Sequence, residues 1–303
     1  MHLMQAAGYR GRFAPSPSGP LHFGSLISAL GSYLDAKAQG GEWWLRIDDL
    51  DPPRVAPGAT DAILRALEAY GLLWDGSVQY QSQRTQAYLA ALKTLQATGK
   101  VYACSCTRRE IADSSVGGRA AAIYPGTCRA GPAPGKLGRA WRLDTRGAQV
   151  KFVDRLQGVI EQDLENQAGD FLVHRADGYF AYQLAAVVDD AELGITDIVR
   201  GADLIDATLR QVYLQRLLQL PTPRYLHLPV AVNALGEKLS KQTLAPPLDV
   251  ARPQATLMQA LAFLQHPPPL ALTRAAVPEI LSWAIAHWDV ARLPPARSIE
   301  PAS

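Results

Sequence analysis

Two short segments of this chain carry residue types that bind phosphate groups. The first, HFGS at residues 22–25, follows a Gly- and Pro-rich turn and opens a long helical pattern. A helix N-terminus offers unpaired N–H groups and partial positive charge to phosphate, His22 adds a donor, and Gly24 permits close backbone approach. The second, KLSKQ at residues 238–242, places two lysines in a Gly-bearing loop. Each segment alone is equally consistent with a capped turn or a solvated loop.

The pattern around the first segment predicts a strand–helix–strand unit with parallel strands and a right-handed crossover. Apolar residues form a strand at 9–14, recur at helical spacing over 23–39, and form an aromatic-rich strand at 43–47. The remaining predicted elements are helices over 59–70, 83–98, 182–189 and 205–218 and strands over 171–174, 195–200 and 225–232. We therefore expect an α/β fold with a Rossmann-like parallel sheet, whose ligands bind at the carboxyl ends of the strands.

An acidic cluster follows the strand predicted at 43–47 and consists of Asp48, Asp49 and Asp51. A carboxylate at that strand end could hold the ammonium group of a substrate. The alternative is a turn and capping cluster, since Asp is common in turns and often precedes Pro there. We assign the ammonium-binding role to Asp48 because it is nearest the predicted strand end.

Residues 101–170 interrupt the α/β pattern with Gly, Pro, Arg and short β-like runs. All three cysteines of the chain fall in this stretch: Cys104, Cys106 and Cys128. Three thiolates are a partial tetrahedral zinc set, and a small insert with few apolar residues gains stability from a metal. The fourth ligand is open between Tyr124, Glu110, Asp113 and water. The alternative is three buried thiols that bind no metal.

The composition of the chain is that of an ordinary globular protein and excludes few functions. The chain is 48% hydrophobic and 19% charged with a net charge of +2, which permits nucleic-acid binding without arguing for it. No apolar run reaches the length of a membrane span, and residues 1–8 lack a signal-peptide pattern. An odd number of cysteines disfavours a disulfide scaffold. We expect a cytoplasmic monomer that does not act at a membrane.

The two phosphate-type segments together resemble the HIGH and KMSKS motifs of class I aminoacyl-tRNA synthetases. Three further stretches resemble the glutamyl/glutaminyl branch of that family: RFAPSPSG at 12–19, RIDDLD at 46–51, and VVDD and VRGAD within 187–203. The resemblance covers about residues 10–245. About sixty Pro-rich residues follow Lys241, so the chain is most similar to the truncated glutamyl-tRNA synthetase paralogues that glutamylate queuosine in tRNA(Asp). One departure is Asp48, where many relatives carry Glu.

This resemblance implies ATP-dependent activation of L-glutamate to glutamyl-adenylate, without tRNA, and then transfer of the glutamyl group to the queuosine base at the wobble position. It implies Mg²⁺ with ATP and assigns catalysis to His22, Lys241 and Lys238. The ATP-binding residues would be His22, Gly24, Ser25 and Lys241. The glutamate-binding residues would be Arg12, Phe13, Ala14, Pro15, Ser16, Asp48, Tyr182 and Arg200. The zinc ligands would be Cys104, Cys106, Tyr124 and Cys128.

The same resemblance predicts three regions. They are a Rossmann-like catalytic region formed by 1–100 and 171–245, a zinc-containing, acceptor-binding-like insert at 101–170, and a helical C-terminal segment at 246–303 without an anticodon-binding domain. Helices are expected at 254–265 and 275–287 in the last of these, followed by a mobile tail from residue 293.

Three other functions are alternatives to queuosine glutamylation. A truncated glutamyl-tRNA synthetase would charge a tRNA 3′ end, and a non-catalytic paralogue would only bind tRNA. Intact His22 and Lys241 speak against the second. A small adenylate-forming enzyme of the pantothenate synthetase type is disfavoured by the zinc-type insert. Among the predicted glutamate ligands, Tyr182 has a core role as its alternative and Arg200 a role in capping a loop.

Overall fold

The computed structural model describes residues 8–107, 109–111, 123–233, 235–239 and 246–301. The strands are β1 (Arg10–Phe13), β2 (Glu42–Ile47), β3 (Gln79–Tyr80), β4 (Val101–Cys104), β5 (Ala140–Leu143), β6 (Gln149–Asp154), β7 (Gly158–Asp163), β8 (Phe171–His174), β9 (Asp197–Gly201), β10 (Arg224–Leu228), β11 (Val230–Ala231) and β12 (Ser298–Ile299). The helices are α1 (Phe23–Ala38), α2 (Ala59–Ala69), α3 (Thr85–Ala97), the single turn α4 (Leu164–Gln167), α5 (Tyr182–Glu192), α6 (Ile205–Leu218), α7 (Pro253–Phe263) and α8 (Val277–Ala286).

The predicted strand–helix–strand unit is confirmed: β1 and β2 pair in parallel, with Arg10 opposite Glu42, and α1 crosses between them. Parallel pairing extends the unit to β3, giving the order β1-β2-β3. A second sheet has the order β7-β6-β10-β9, in which β6, β10 and β9 are parallel. The chain therefore has the α/β class and the parallel sheets that the sequence predicts.

The two sheets lie edge to edge at β1 and β9. The backbone N–H of Thr196, just before β9, donates to the carbonyl of Arg10 at 2.9 Å, and the Arg10 N–H donates to the Thr196 hydroxyl at 2.9 Å. Chain order reverses at this point, because β2 lies on one side of β1 and β10 on the far side of β9. Ligands of open α/β sheets bind at such a switch point, beyond the carboxyl ends of the strands.

Apolar cores cover both faces of the central strands. In β9, Ile198 faces one core and Val199 the other, and in β10 Tyr225 and Leu226 alternate in the same way. Strands buried on both faces read as continuous apolar runs, which is why the sequence pattern identifies them. Helices α1, α7 and α8 pack on one side, and α3, α5 and α6 on the other.

Strand pairing crosses the limit predicted at residue 170 for the insert at 101–170. Strands β4, β5 and β8 form an antiparallel sheet, although β8 lies beyond residue 170. Strand β6 lies inside the stretch, yet Asp154 at its end pairs with Tyr225 of β10. The division of the chain into domains stays a prediction.

The C-terminal region follows the predicted helices, as α7 and α8, but its tail differs from expectation. Ser298 and Ile299 pair in parallel with Val230 and Ala231, and the Val230 N–H donates to the carbonyl of Arg297 at 3.0 Å. The buried side chain of Leu293 anchors the start of the tail. Together with the backbone hydrogen bonds to β11, this burial offsets the entropy lost when the tail is ordered. Across the described ranges, no helix is long and apolar enough to cross a bilayer.

Candidate active site

The first phosphate-type segment caps α1. His22 is the residue before the helix and has an extended backbone; its carbonyl accepts the Leu26 N–H at 3.0 Å, and its own N–H donates to the Ser25 hydroxyl at 3.5 Å. The His22 side chain is 8% exposed. The sequence therefore predicts both the start of the helix and the position of the histidine correctly.

A cavity of about 570 Å³ lies in front of this helix start. We call it the first cavity. Its wall includes His22, Gly24, Ser25, Ser28, Asp203 and Lys238. The two segments that are more than two hundred residues apart in sequence thus border one space, as an ATP site built from both requires.

Backbone pairing and an ion pair hold the described part of the lysine-bearing loop against the site. A hairpin pairs Val232 with Lys238, and the Leu239 N–H donates to the Ala231 carbonyl at 2.8 Å. The Lys238 ammonium lies 2.6 Å from the Asp203 carboxylate, which follows β9. Both partners are partly exposed, so this pair contributes about 0.2–1 kcal/mol. The predicted catalytic residue Lys241 and its neighbour Gln242 lie outside the described residues.

A second cavity, of about 500 Å³, adjoins the first and shares Ser16, Ser18 and Arg54 with it. Its wall includes the predicted glutamate ligands Ala14, Ser16, Asp48 and Tyr182. Phe13 and Pro15 of the same predicted set line the first cavity. The segment after β1 therefore forms the partition between the two spaces.

Buried ion pairs support the second cavity from behind. Arg46 is fully buried; its Nε donates to one Asp48 oxygen at 2.6 Å and its Nη1 to Asp190 at 2.7 Å. Arg12, predicted to bind substrate directly, is 3% exposed and donates to both Asp190 oxygens, at 3.1 and 3.3 Å. A carboxylate has about four lone-pair sites, so Asp48 keeps acceptor capacity toward the cavity.

These contacts set the charge state of the two carboxyls. Burial raises the pKa of Asp48, against the opposing effect of Arg46. Burial also acts to raise the pKa of Asp190, but Arg12 and Arg46 outweigh it and hold that pKa below its ordinary value. Neighbouring Asp189 accepts hydrogen bonds from Gln81, Arg84 and Tyr88. Arg84 also contacts Glu192.

Sequence reasoning did not assign a site role to Arg46, Asp189 or Asp190. The sequence does contain a signal for the two aspartates: Asp189 and Asp190 interrupt the apolar pattern of α5. Charged residues are almost never fully buried unless they are paired. The partner of each carboxylate, however, follows only from the strand order.

Arg200 lies near the carboxyl end of β9, as predicted, and contacts Tyr182 in the wall of the second cavity. Its Nη1 donates to the Tyr182 hydroxyl at 3.3 Å. Its Nη2 donates to Thr208 at 2.6 Å and to Gln211 at 2.7 Å, both on α6. Arg200 is 4% exposed and Tyr182 is 36% exposed. The buried guanidinium thus polarises a phenol that faces the cavity.

The three cysteines converge beside Tyr124. Their sulfur atoms all lie within 4.8 Å of one another, with Cys106 and Cys128 3.5 Å apart. The Tyr124 hydroxyl lies 3.5 Å from the sulfurs of both Cys104 and Cys106. Tetrahedral zinc with Zn–S of about 2.3 Å and Zn–O of about 2.0 Å places sulfur and oxygen about 3.5 Å apart. The donor set and its spacing fit zinc.

Of the other candidates for a fourth ligand, Glu110 pairs with Lys136 at 2.6 Å and is not part of the cysteine cluster, while Asp113 lies outside the described part of the chain. Arg142 packs over the Tyr124 ring at 3.9 Å and donates to the Cys104 sulfur at 3.3 Å.

The thiols differ in how readily they lose a proton. Burial raises the pKa of Cys106 to about 11. For Cys128, burial is outweighed by hydrogen bonds from Tyr124 and the Ser105 backbone, which lower the pKa to about 6. The thiolate is the form that binds metal, so Cys128 is better prepared for it than Cys106.

Comparison with known proteins identifies the architecture. The family model of class I tRNA synthetases (E and Q), catalytic domain, matches residues 9–124 and 138–255. The glutamyl-Q tRNA(Asp) synthetase of Aromatoleum aromaticum is 55% identical over 95% of this chain and 91% of its own length. Proteins of the same name are 53% identical in Thiobacillus denitrificans, over 96% and 97%, and 51% in Pseudomonas aeruginosa, over 95% and 96%.

A solved glutamate tRNA ligase from Elizabethkingia meningosepticum has the same fold, with a TM-score of 0.78 at 22% identity. The match covers 97% of this chain and 67% of that one. The motifs, the shared cavities and these similarities agree. The chain belongs to the glutamyl/glutaminyl class I tRNA synthetases and, within them, to the glutamyl-Q tRNA(Asp) synthetase family.

Proposed function

We propose that this protein activates L-glutamate with ATP and transfers the glutamyl group to the queuosine base at the wobble position of tRNA(Asp). The observation that carries the first half is the adjacency of two cavities, one bordered by His22 and Lys238 and the other by Asp48 and Tyr182. The second half rests on the family to which the chain belongs.

In the proposed first step, glutamate occupies the second cavity. Asp48 accepts the ammonium group, while Tyr182, backed by Arg200, receives a carboxylate. The α-carboxylate reaches past Ser16 toward the first cavity, where it attacks the α-phosphorus of ATP. A carboxylate–phosphorus bond forms, the bond to the β-phosphate breaks, and pyrophosphate leaves. Such a step needs positioning and charge neutralisation more than covalent help from the protein.

His22 and the start of α1 would steady the phosphates, and Lys241, with Lys238 in a secondary role, would neutralise the developing charge on pyrophosphate. Mg²⁺ would enter with ATP. In the second step a hydroxyl of the queuosine cyclopentenediol attacks the glutamyl carbonyl, an ester forms, and AMP leaves.

The thiol cluster is the proposed zinc site, held by Cys104, Cys106, Tyr124 and Cys128. Its support is the tetrahedral spacing of three sulfurs and one phenol oxygen. Zinc there would cross-link the insert and supply no reactive group. The absence of a disulfide among the three cysteines fits the reducing cytoplasm, in which we propose that the protein acts as a monomer.

The test is transfer of radiolabelled glutamate to four RNAs: tRNA(Asp) with and without queuosine, and the isolated anticodon stem-loop with and without it. We expect label only on the two RNAs that contain queuosine. Label on full-length tRNA regardless of queuosine, with none on either stem-loop, would instead establish 3′-end charging. Glutamate-dependent pyrophosphate exchange without RNA tests the first step, and its absence would favour a paralogue that only binds tRNA.

A further inference from the structure

A row of three buried polar side chains crosses strands β6, β10 and β9 of the second sheet, behind the second cavity. Asp154 ends β6, His227 lies in β10, and Arg200 lies in β9 directly opposite His227. Side chains at neighbouring positions of adjacent strands share a face, so the three residues line up. All three are less than 5% exposed.

Asp154 is fixed by the backbone around it. Its carboxylate accepts the N–H groups of Leu156 at 2.9 Å, Gln157 at 2.8 Å and His227 at 3.1 Å. One of its oxygens lies 2.6 Å from His227 Nδ1. Ionised carboxylates only accept hydrogen bonds, so Nδ1 carries the proton.

This contact leaves His227 Nε2 to face Arg200. The Arg200 Nε–H donates to it at 3.3 Å, and the Thr208 hydroxyl lies 2.9 Å from the same nitrogen. A neutral imidazole with a proton on Nδ1 presents a lone pair at Nε2, which is the form that can accept from a guanidinium. Burial lowers the pKa of His227 and keeps it neutral.

Arg200 is therefore oriented from three directions. His227 holds Nε, while Thr208 and Gln211 hold Nη2. Nη1 is the corner of the guanidinium that donates to the hydroxyl of Tyr182, a residue that lines the cavity. Without the His227 contact, only the two bonds at Nη2 would hold the guanidinium, which could then turn and move Nη1.

We infer that His227, with its tautomer fixed by Asp154, is a positioning residue that aims Arg200 and Tyr182 at the carboxylate of the amino-acid substrate and so sets selectivity for glutamate over glutamine. This inference rests on the proposed function, because it takes glutamate as the ligand of the second cavity.

A pair of substitutions separates the two bonds of the imidazole. In His227→Asn the amide reaches the Nδ1 position, so it keeps the bond to Asp154 and loses Arg200. In His227→Gln the longer side chain reaches the Nε2 position and offers an oxygen to Arg200. In pyrophosphate exchange we expect His227→Asn to raise KM for glutamate about ten-fold, the size of one hydrogen bond to a charged group. The preference for glutamate over glutamine should fall by a similar factor, with KM for ATP unchanged. His227→Gln should return both values toward the wild type.

The matched control is His266→Asn. His266 is equally buried and lies in the C-terminal region, away from the two cavities. Its Nδ1 lies 2.6 Å from the Leu264 carbonyl, and its Nε2 accepts the Asp289 N–H at 3.0 Å. It should lower stability without changing selectivity. If His227→Asn lowers only stability as well, the inference is overturned.

A second measurement is independent of turnover. The ¹⁵N-resolved Nε–H signal of Arg200, assigned by its loss in Arg200→Lys, should exchange slowly with solvent in the wild type and rapidly in His227→Asn. Rapid exchange in the wild type overturns the inference even if neither His227 variant folds. A wild type that shows slow exchange but no glutamate-dependent activity overturns the proposed function instead.

Discussion

Gly24 and Leu239 meet across the first cavity, so that a methyl group added at Gly24 would lie 2.9 Å from the Leu239 carbonyl oxygen. Carbon atoms in that position essentially never approach a backbone oxygen so closely. Gly24 belongs to the turn that opens α1, and Leu239 follows Lys238 in the lysine-bearing loop. Gly24 is therefore required because the lysine-bearing loop approaches it closely. From the sequence alone, the glycine is explained only by the approach of a nucleotide.

Gly24→Ala should displace the lysine-bearing loop while leaving the fold intact. Because a shift of about 1 Å can cost on the order of 10²-fold in rate, we expect pyrophosphate exchange to slow by roughly that factor. The control is Gly8→Ala, where an added methyl group meets nothing within 4 Å. Equal rates for the two variants would show that the loop approaches differently during catalysis.

Lys241→Ala should lower kcat for pyrophosphate exchange by about 10²–10³-fold, by analogy with the loss of one preorganised donor at a developing charge. Lys238→Ala should cost less than about ten-fold, because that ammonium is partly exposed and already paired with Asp203. A larger loss at Lys238 than at Lys241 would reverse the roles that we assign to them.

Arg46→Met should destabilise the protein by about 3–5 kcal/mol, since it leaves the buried carboxylate of Asp48 without an ion-pair partner and Asp190 with Arg12 alone. The free energy of unfolding in urea measures this. Lys151→Met is the matched control, because it removes a cation from an exposed pair with Glu161 and should change that free energy by less than about 1 kcal/mol. A small loss at Arg46 would mean that the carboxylates protonate or rearrange at little cost.

Tyr124→Phe should weaken zinc binding while keeping the ring beneath Arg142. The hydroxyl supplies the oxygen near two sulfurs, and without it the metal has three protein ligands. Competition with a chromophoric chelator measures the affinity, and metal content per chain can be measured by atomic emission. Tyr102→Phe is the control, since it removes another hydroxyl from the same region, one bonded to Asp170 rather than to the thiols. Equal zinc affinity in both variants would point to water as the fourth ligand.

Stability should fall as the pH drops below about 6.5. Burial lowers the pKa of His174, His227 and His266 in the folded protein, so below the ordinary value of 6.5 the unfolded chain binds more protons than the folded one. Protonation then favours unfolding. Asp154, Asp170 and Asp190, whose folded pKa values are lowered, extend the loss below pH 3.8.

Urea unfolding at pH 7.5, 6 and 5 checks this dependence. His266→Gln should reduce the slope between pH 7 and 5, because one titrating imidazole is gone. A free energy of unfolding that rises on acidification in this range would contradict the sign.

The sequence by itself determined the local elements and the family. The helix at α1 follows from apolar residues at helical spacing after a capped turn, and β9 and β10 follow from apolar runs buried on both faces. These signals are local, because hydrophobic period and turn residues act within one element. The two motifs, the three cysteines and the order of the long helices and buried strands outside residues 101–170 could therefore be read without coordinates. The tail was predicted less well, since its pairing with β11 depends on a partner some seventy residues away.

Only the tertiary structure decided which polar groups meet. Arg46 and Asp190 are 144 residues apart, and Asp154 and His227 are 73 apart, yet each pair is in direct contact. Such contacts depend on strand order and register, because a shift of one residue moves a side chain to the opposite face of the sheet. The same dependence pairs Arg12, which the sequence predicts as a substrate ligand, with Asp190. It also placed His227, for which we predicted no role from the sequence, beside Arg200.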